Sequence, residues 1–370
     1  MPLDRDEWEA LLELRLLPGL GDRALRALLE RYGSARAALA APVGELGEAA
    51  VAARGGWRER VRERVRRAVQ LLERGDVELL IESDPRYPAR LLELRDPPPL
   101  LFARGRLELL ERPALAIVGT RRPTTYGREV TRALAAGVSA AGVVVVSGLA
   151  RGIDGEAHGA ALDGGTIGVL GCGIDVVYPR EHARLVEEVG SRGLLLSEFP
   201  PGEPPRQYHF PQRNRLIAAL SAGVLVVEAT RDSGSLITVE HALDLGREVM
   251  AVPGPIGRET SVGANELLRD GATIVLGVGD ILNALGLPAS AAEGATEGEM
   301  RPAPPAIAGE ALRLWQVLDD EPRHTDDLAA ACGLDAATAL VRLLELELGG
   351  HARQLSGQRF VRGSGQLMLG

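Results

Sequence analysis

The sequence predicts an α/β fold: a doubly wound, Rossmann-like parallel sheet, flanked by an N-terminal helical region and a C-terminal winged helix. Three observations carry this expectation. Seven short apolar runs between residues 115 and 276, rich in Val and Ile, alternate with helical stretches, the pattern of strands buried on both faces. Residues 1–75 repeat apolar positions at helical spacing. Residues 289–310 have the Ala, Glu, Pro and Gly-rich composition of a linker, and residues 311–370 then read as three helices and a hairpin. The expected parts are a helical domain (1–75), a sheet domain (76–288), a linker (289–310) and a winged-helix domain (311–370).

Composition narrows the function. The 370 residues allow about two to three domains. With 45% hydrophobic and 25% charged residues the chain is not wholly disordered. No apolar run approaches the length of a membrane span. The first residues, MPLDRDEWEALLELR, carry acids where a signal peptide is basic and then apolar. A cytoplasmic location without membrane attachment is expected. The two cysteines, Cys172 and Cys332, are too few for a disulfide framework or a four-cysteine zinc site. All 42 basic residues are arginine, which excludes a P-loop lysine, a Schiff-base lysine and a kinase-type lysine. Any anion is therefore held by forked guanidinium groups. The net charge is −9: 0 over residues 1–112, −4 over 113–290 and −5 over 291–370. Bulk attraction to nucleic acid is absent, so DNA binding requires a local patch.

In the helical part, Trp8, Leu11, Leu12 and Leu16 share one face, Pro18-Gly19-Leu20-Gly21-Asp22 breaks the pattern, and Arg23 to Tyr32 resumes it. This is either a plain helical hairpin or a helix-hairpin-helix whose turn amides face a DNA phosphate. Arg54 to Arg67 holds seven Arg against two Glu, a solvated helix face or a secondary basic patch.

In the sheet part, ligands are expected just beyond the carboxyl ends of the strands. Gly119, Thr120, Arg121 and Arg122 follow the first run, with a helix whose amino end points to the same spot. Ser147, Gly148 and the rest of SGLARGID follow the second; Gly171, Cys172, Gly173 and Asp175 follow the third; Glu228 to Ser235 follow the fifth. Such loops on one edge build either a groove for a polymer or a single mononucleotide pocket. Between the fourth and fifth runs, Phe210-Pro211 opens a helix whose first turn carries Arg213, Asn214 and Arg215. The arginines suit phosphate contacts, and Tyr208, Phe210, Tyr126 and Tyr178 offer faces for stacked bases. The other possibility is that Tyr208 and Phe210 are core plugs and that the arginines pair with Glu198, Glu203 or Glu228.

In the last part, helices at Ala311–Leu318, Thr325–Cys332 and Asp335–Leu346 precede a hairpin at 352–362. The third helix, through Glu347, has one Arg and three acids. A helix reading a major groove needs donors, so a protein-contact or regulatory role is expected here.

The ordered set GTRRPTTYG, SGLARGID, GCGIDVVYP, FPQRNRLIAALS, VVEATRDSGSLIT and AVPG followed by Gly263-Ala-Asn265 resembles the DNA-processing protein A family (DprA, also called Smf). The resemblance covers at least residues 76–277. It implies a non-enzymatic, homodimeric protein, without a cofactor, that binds and protects single-stranded DNA and loads RecA on it during natural transformation. Single-strand-binding protein and duplex DNA are partners it leaves open. It places the strand-binding arginine at Arg121 and lines the same groove with the Ser147-Gly148 and Gly171-Cys172-Gly173 loops and the Arg213-Asn214-Arg215 turn. The family's groove lysine has no counterpart, and Arg180 or Arg184 is the candidate replacement.

The rival is an enzyme. Ser233-Gly234-Ser235-Leu-Ile-Thr238-Val-Glu240 resembles the loop of nucleotide phosphoribohydrolases, in which a Glu assists loss of a base. A NAD-binding domain ranks low, because no G-x-G-x-x-G follows the first run. No histidine spacing points to a metal, and Asp154 and His158 are expected to brace the Gly-rich loops.

Overall fold

The computed structural model describes residues 4–17, 19–42, 57–288, 307, 309–319 and 322–362. The chain divides into two compact units, residues 1–296 and 297–370.

In the first unit, all seven apolar runs are strands. They are β3 (Ala114–Val118), β4 (Val144–Ser147), β5 (Thr166–Val169), β6 (Leu194–Ser197), β7 (Gly223–Val226), β8 (Glu248–Ala251) and β9 (Thr273–Ile274). Two further strands, β1 (Glu78–Ile81) and β2 (Leu100–Gly105), complete a nine-stranded sheet in the order β1-β2-β6-β5-β4-β3-β7-β8-β9. From β6 to β9 every pair is parallel. β2 runs antiparallel to β6, and β1 to β2. The expected parallel sheet thus gains an antiparallel hairpin at one edge.

Alternation along β3 explains the layers. Leu115 and Ile117 face α5 (Thr125–Ala140) and α6 (Ile153–Ala161) through Val130, Leu134, Val138, Ile153 and Ala157. Ala114, Ala116 and Val118 face α8 (His209–Leu220) and α9 (Leu236–Asp244) through Leu216, Ile217, Val239 and Ala242. The small alanines on that face admit the helices closely. Two helices not anticipated, α10 (Glu259–Arg269) and α11 (Val278–Ala284), close the β8–β9 end.

Helices α1 (Arg5–Arg15), α2 (Asp22–Tyr32), α3 (Ala35–Ala40) and α4 (Trp57–Glu73) share a core with the opposite end. Leu11, Leu14, Leu25, Val65 and Val69 pack with Phe102, Leu170, Ile174 and Val189, the last from α7 (Ala183–Arg192).

The chain runs β3, β4, β5, β6 in one direction and then returns to the other side of β3 for β7. That reversal leaves a crevice beyond the carboxyl ends of β3 and β7.

The second unit consists of α12 (Gly309–Val317), β10 (Arg323–His324), α13 (Thr325–Cys332), α14 (Ala336–Leu348), β11 (Ala352–Leu355) and β12 (Arg359–Arg362). The strands pair in the order β10-β12-β11. Leu314, Trp315, Leu328, Leu343, Leu346 and Phe360 form its core. This is the expected winged helix, with β10 as an addition too short to leave a pattern.

Candidate nucleic-acid interface

The crevice at the reversal point is an open cleft of about 860 Å³. One wall is Gly119 to Arg122, after β3. The opposite wall carries Thr230, Ser233, Ser235 and Thr238 from the loop after β7 and the start of α9, with Thr260 of α10. Tyr178, Phe210 and Arg213 close one end.

The first loop is held by protein groups. A Cβ on Gly119 would stand 2.7 Å from the Glu228 carbonyl oxygen and 2.6 Å from Ile153 Cγ1, so the close approach that glycine permits is to the chain itself. Thr120 N–H donates to the Glu228 carbonyl at 2.7 Å. Thr124 caps α5 by accepting from Gly127 N–H at 3.0 Å. The buried Glu228 carboxylate accepts from Thr124 N–H at 2.9 Å and from Thr124 Oγ1 at 2.6 Å. The amino end of α5, expected to receive a phosphate, is therefore occupied by an internal carboxylate, which the dipole and the orphan amides equally favour.

The second loop is braced more heavily. Ser147 Oγ donates to the Ile117 carbonyl at 2.6 Å and is buried away from the cleft wall. Asp154 accepts from Gly148 N–H at 3.1 Å and Ala150 N–H at 3.3 Å. Burial raises its pKa, and the charge of Arg213 opposes that rise. Leu149 sits at φ 54°, an unusual value for a side-chain-bearing residue. His158 Nε2 accepts from its N–H at 3.3 Å, and His182 Nδ1 lies 3.0 Å from its carbonyl. Accepting at Nε2 places the His158 proton on Nδ1, 2.7 Å from Thr166 Oγ1, which in turn donates to the Val145 carbonyl. Burial pushes the His158 pKa down to about 3, so this histidine stays neutral. Asp154 and His158 thus do the bracing expected of them.

The third loop turns towards the protein. Gly173 packs against the backbone of residues 200–203 and donates to the Glu203 carbonyl at 2.9 Å. Asp175 accepts from Gly202 N–H at 2.7 Å and pairs with Arg67 of α4 at 2.6 Å. Gly171 and Cys172 reach a small recess continuous with the cleft, beside Phe210 and Arg213. Burial raises the Cys172 thiol to about 12, so it is no nucleophile.

Arg213, Asn214 and Arg215 do not fall in the first turn of their helix, because α8 begins two residues earlier, at His209. Arg213 is buried under Gly148 and donates to the Val169 carbonyl at 2.7 Å. Burial lowers its pKa to about 10. Asn214 Nδ2 donates to the Gly234 carbonyl at 3.3 Å, which ties α8 to the loop after β7. Arg215 pairs with the buried Glu198 at 2.5 Å and lies outside the cleft lining. Of this trio only Arg213 and Asn214 line the cleft. Tyr208 is 62% exposed, not a core plug. Phe210 stands at the cleft end, 5.3 Å from the Tyr178 ring and 5.8 Å from the Arg121 guanidinium carbon.

Charge pairing singles out this edge. Of the fifteen arginines between residues 113 and 288, ten contact a carboxylate and Arg213 is buried on a carbonyl. The other four, Arg121, Arg122, Arg180 and Arg258, are exposed and have no carboxylate partner among the described residues. Arg121 and Arg122 line the cleft, Arg180 follows Tyr178-Pro179, and Arg258 precedes Glu259 and Thr260 of the lining. Arg184 is paired with Glu188 at 2.8 Å.

Four helices also begin at this cleft without a side-chain cap: α6 at Gly152, α8 at Tyr208, α9 at Ser235 and α10 at Arg258. The first amides of three of them already donate within the chain, Ile153 to the Thr120 carbonyl, His209 to Arg206 and Leu236 to Ser233, and what these helix ends offer an anion is the rest of the first turn and the positive end of the dipole. Sequence reading missed Arg258 and the start of α10. The signal was Asn265, whose amide exchanges two hydrogen bonds with Gly254 (3.0 and 2.9 Å) and fixes the loop that precedes α10.

Other candidates lie elsewhere. Glu240 is exposed on α9, outside the cleft lining. The Gly19–Gly21 turn faces the segment 199–212 across a cavity of about 390 Å³, and its Asp22 is paired with Arg15 at 3.3 Å. In the arginine run, Arg62 and Arg66 pair with Glu59 and Glu63, and Arg64 and Arg67 with Glu203 and Asp175. Arg54 and the side chains of Arg58 and Arg60 lie outside the described residues. Among the described residues no group of three or more His, Cys, Asp or Glu is placed to hold a metal, and no helix is long and apolar enough to cross a membrane.

Comparison with known proteins agrees with this architecture. The sequence pattern of the DNA recombination-mediator protein A family matches residues 78–286, and that of the DprA winged helix domain matches residues 298–358. Protein Smf of Escherichia coli is 41% identical over 290 residues, which span 77% of this chain and 78% of that protein. The X-ray structure of DNA processing protein A from Streptococcus pneumoniae superposes with a TM-score of 0.64 at 36% identity, over 76% of this chain and 98% of that one. The Helicobacter pylori protein, whose structure was described for its single-stranded DNA binding mode, superposes with a TM-score of 0.53 at 34% identity, over 56% of this chain and 95% of that one.

Proposed function

Because the chain belongs to the DNA recombination-mediator protein A family, we propose that it is a single-stranded DNA-binding recombination mediator and not an enzyme. It protects incoming strands in the cytoplasm and loads RecA on them during natural transformation. The observation that carries this reading is the set of arginines around one cleft that have no carboxylate partner among the described residues, in a stretch, residues 113–288, whose other arginines pair with a carboxylate or, for Arg213, donate to a buried carbonyl. Arg121 and Arg122 grip phosphates, supported by Arg180, by Thr120 and by the uncapped helix amino ends. Tyr178 and Phe210 offer faces for bases. None of these contacts reads a base edge, so binding is independent of sequence and weakens with salt. The braced glycine loops, including Gly119, Gly148 and Gly171, keep the edge rigid, so little order is lost on binding. As a homodimer the protein presents two such edges to one strand and gains by effective concentration.

Polarisation of a fluorescent, unstructured single strand, titrated with wild type and Arg121→Ala at two salt concentrations, tests the assignment. Tight, salt-sensitive binding that collapses in the variant is expected. Equal affinity in the two proteins would remove Arg121 from the site, and no binding by either would end the strand-binding reading.

A further inference from the structure

The winged helix carries a second interface. Its third helix, α14, is apolar on two opposite sides. Ala339, Leu343 and Leu346 are buried in the domain core. Ala337, Val341, Leu344 and Leu348 form a separate stripe that faces solvent, with Val341, Leu344 and Leu348 exposed to 53%, 40% and 81%. A helix apolar all round is normally covered all round. The steps between these four positions are four, three and four residues, which is the a/d spacing of a helix-pairing seam.

The residues beside the stripe specify what covers it. With Val341 and Leu348 at a and Leu344 at d, Glu345 falls at e and Glu347 at g. Arg342 is the only cation of the helix. It turns to Glu310 at 3.2 Å and Glu345 at 2.9 Å, so two acids share one guanidinium. Glu347 accepts from the Gln354 amide at 2.8 Å, a neutral donor that leaves its charge uncompensated. The seam is therefore edged with net negative charge. A second copy would set acid against acid. Duplex DNA would meet acids near its phosphates and a stripe with no donor for base edges.

We propose that this stripe docks an amphipathic helix of another protein, with aliphatic residues on its seam and Arg or Lys on its flanks. The helix-in-groove mode supplies affinity through the seam, and the flanking charges select the partner.

The test uses the full chain and two labelled peptides of about three heptads, long enough to hold a helix. Both have Leu at a and d; one has Lys at e and g, the other Glu. The Lys peptide is expected to bind and the Glu peptide not. Leu344→Gln, a neutral change at an exposed position, is expected to weaken the Lys peptide about tenfold or more. Glu345→Lys is expected to move the preference towards the Glu peptide without touching the core. Failure of the Lys peptide to bind, equal binding of both peptides, or indifference to Leu344→Gln would overturn the proposal. So would a drop in oligomeric mass in Leu344→Gln, which would assign the stripe to a second copy, or a loss of duplex affinity, which would assign it to DNA.

Discussion

Helix α4 and the carboxyl edge of the sheet are both rich in arginine, and they use it differently. On α4, Arg62 and Arg66 pair within the helix, while Arg64 and Arg67 tie it to the loops at Glu203 and Asp175. At the sheet edge, Arg121, Arg122, Arg180 and Arg258 have no such partner among the described residues. The α4 run is the denser in sequence, yet its described side chains present almost no unneutralised charge. Linear charge density thus misleads; on the proposed function, the strand meets guanidinium groups gathered at one cleft that the fold leaves without a carboxylate.

The largest test of this contrast is Arg121→Ala combined with Arg122→Ala. Removing two charge-assisted phosphate donors at once is expected to lower single-strand affinity about a hundredfold or more, read by polarisation. Affinity within about threefold of wild type would break the comparison.

A second test separates charge from rigidity. Burial lowers the His158 pKa from 6.5 to about 3, so an opened loop takes up a proton that the closed one refuses. Stability from this group is complete above pH 6.5 and is lost as pH falls towards 3. At pH 5 opening of residues 147–152 is easier by about 2 kcal/mol. Hydrogen exchange at Leu149, corrected for intrinsic rate, is expected to lose about thirtyfold protection between pH 7 and pH 5. Protection that stays flat would mean His158 does not hold the loop.

A smaller effect concerns salt. Each phosphate contact contributes about 0.7 to the slope of log affinity against log salt for a single strand, so Arg121→Ala alone is expected to reduce the slope by about that amount. An unchanged slope would place the guanidinium away from the backbone. The smallest effect belongs to α4. Arg64→Ala or Arg67→Ala is expected to change affinity by less than about threefold, since these pairs serve structure; a large loss would extend the strand's path on to α4.

Much of the fold was legible because its signals are local. Runs such as Val143 to Ser147 and Gly223 to Val227 announce strands covered on both faces. β1 and β2 were not legible, since Leu100 to Gly105 follows a row of prolines, and antiparallel pairing with β1 on one side and β6 on the other, across sequence distance, makes it a strand. In the site, the strand-to-helix turns were legible as glycine and arginine clusters. Which way each side chain points was not. Arg213 and Arg215 are two residues apart on α8, yet one is buried under Gly148 and the other pairs with Glu198. A two-residue step on a helix turns about 200°, and the start of α8 sets which way each one turns.

Glu228 bears on competition inside a cell. Nucleotide-binding sheets of this kind offer the first turn to a diphosphate, and a cell is full of ATP and NAD. Here that berth already holds a carboxylate fixed by Thr124. A free nucleotide thus meets an occupied seat, while a polymer can engage several weaker donors at once along the rim. On the proposed function, discrimination between metabolite and strand is then a matter of valence.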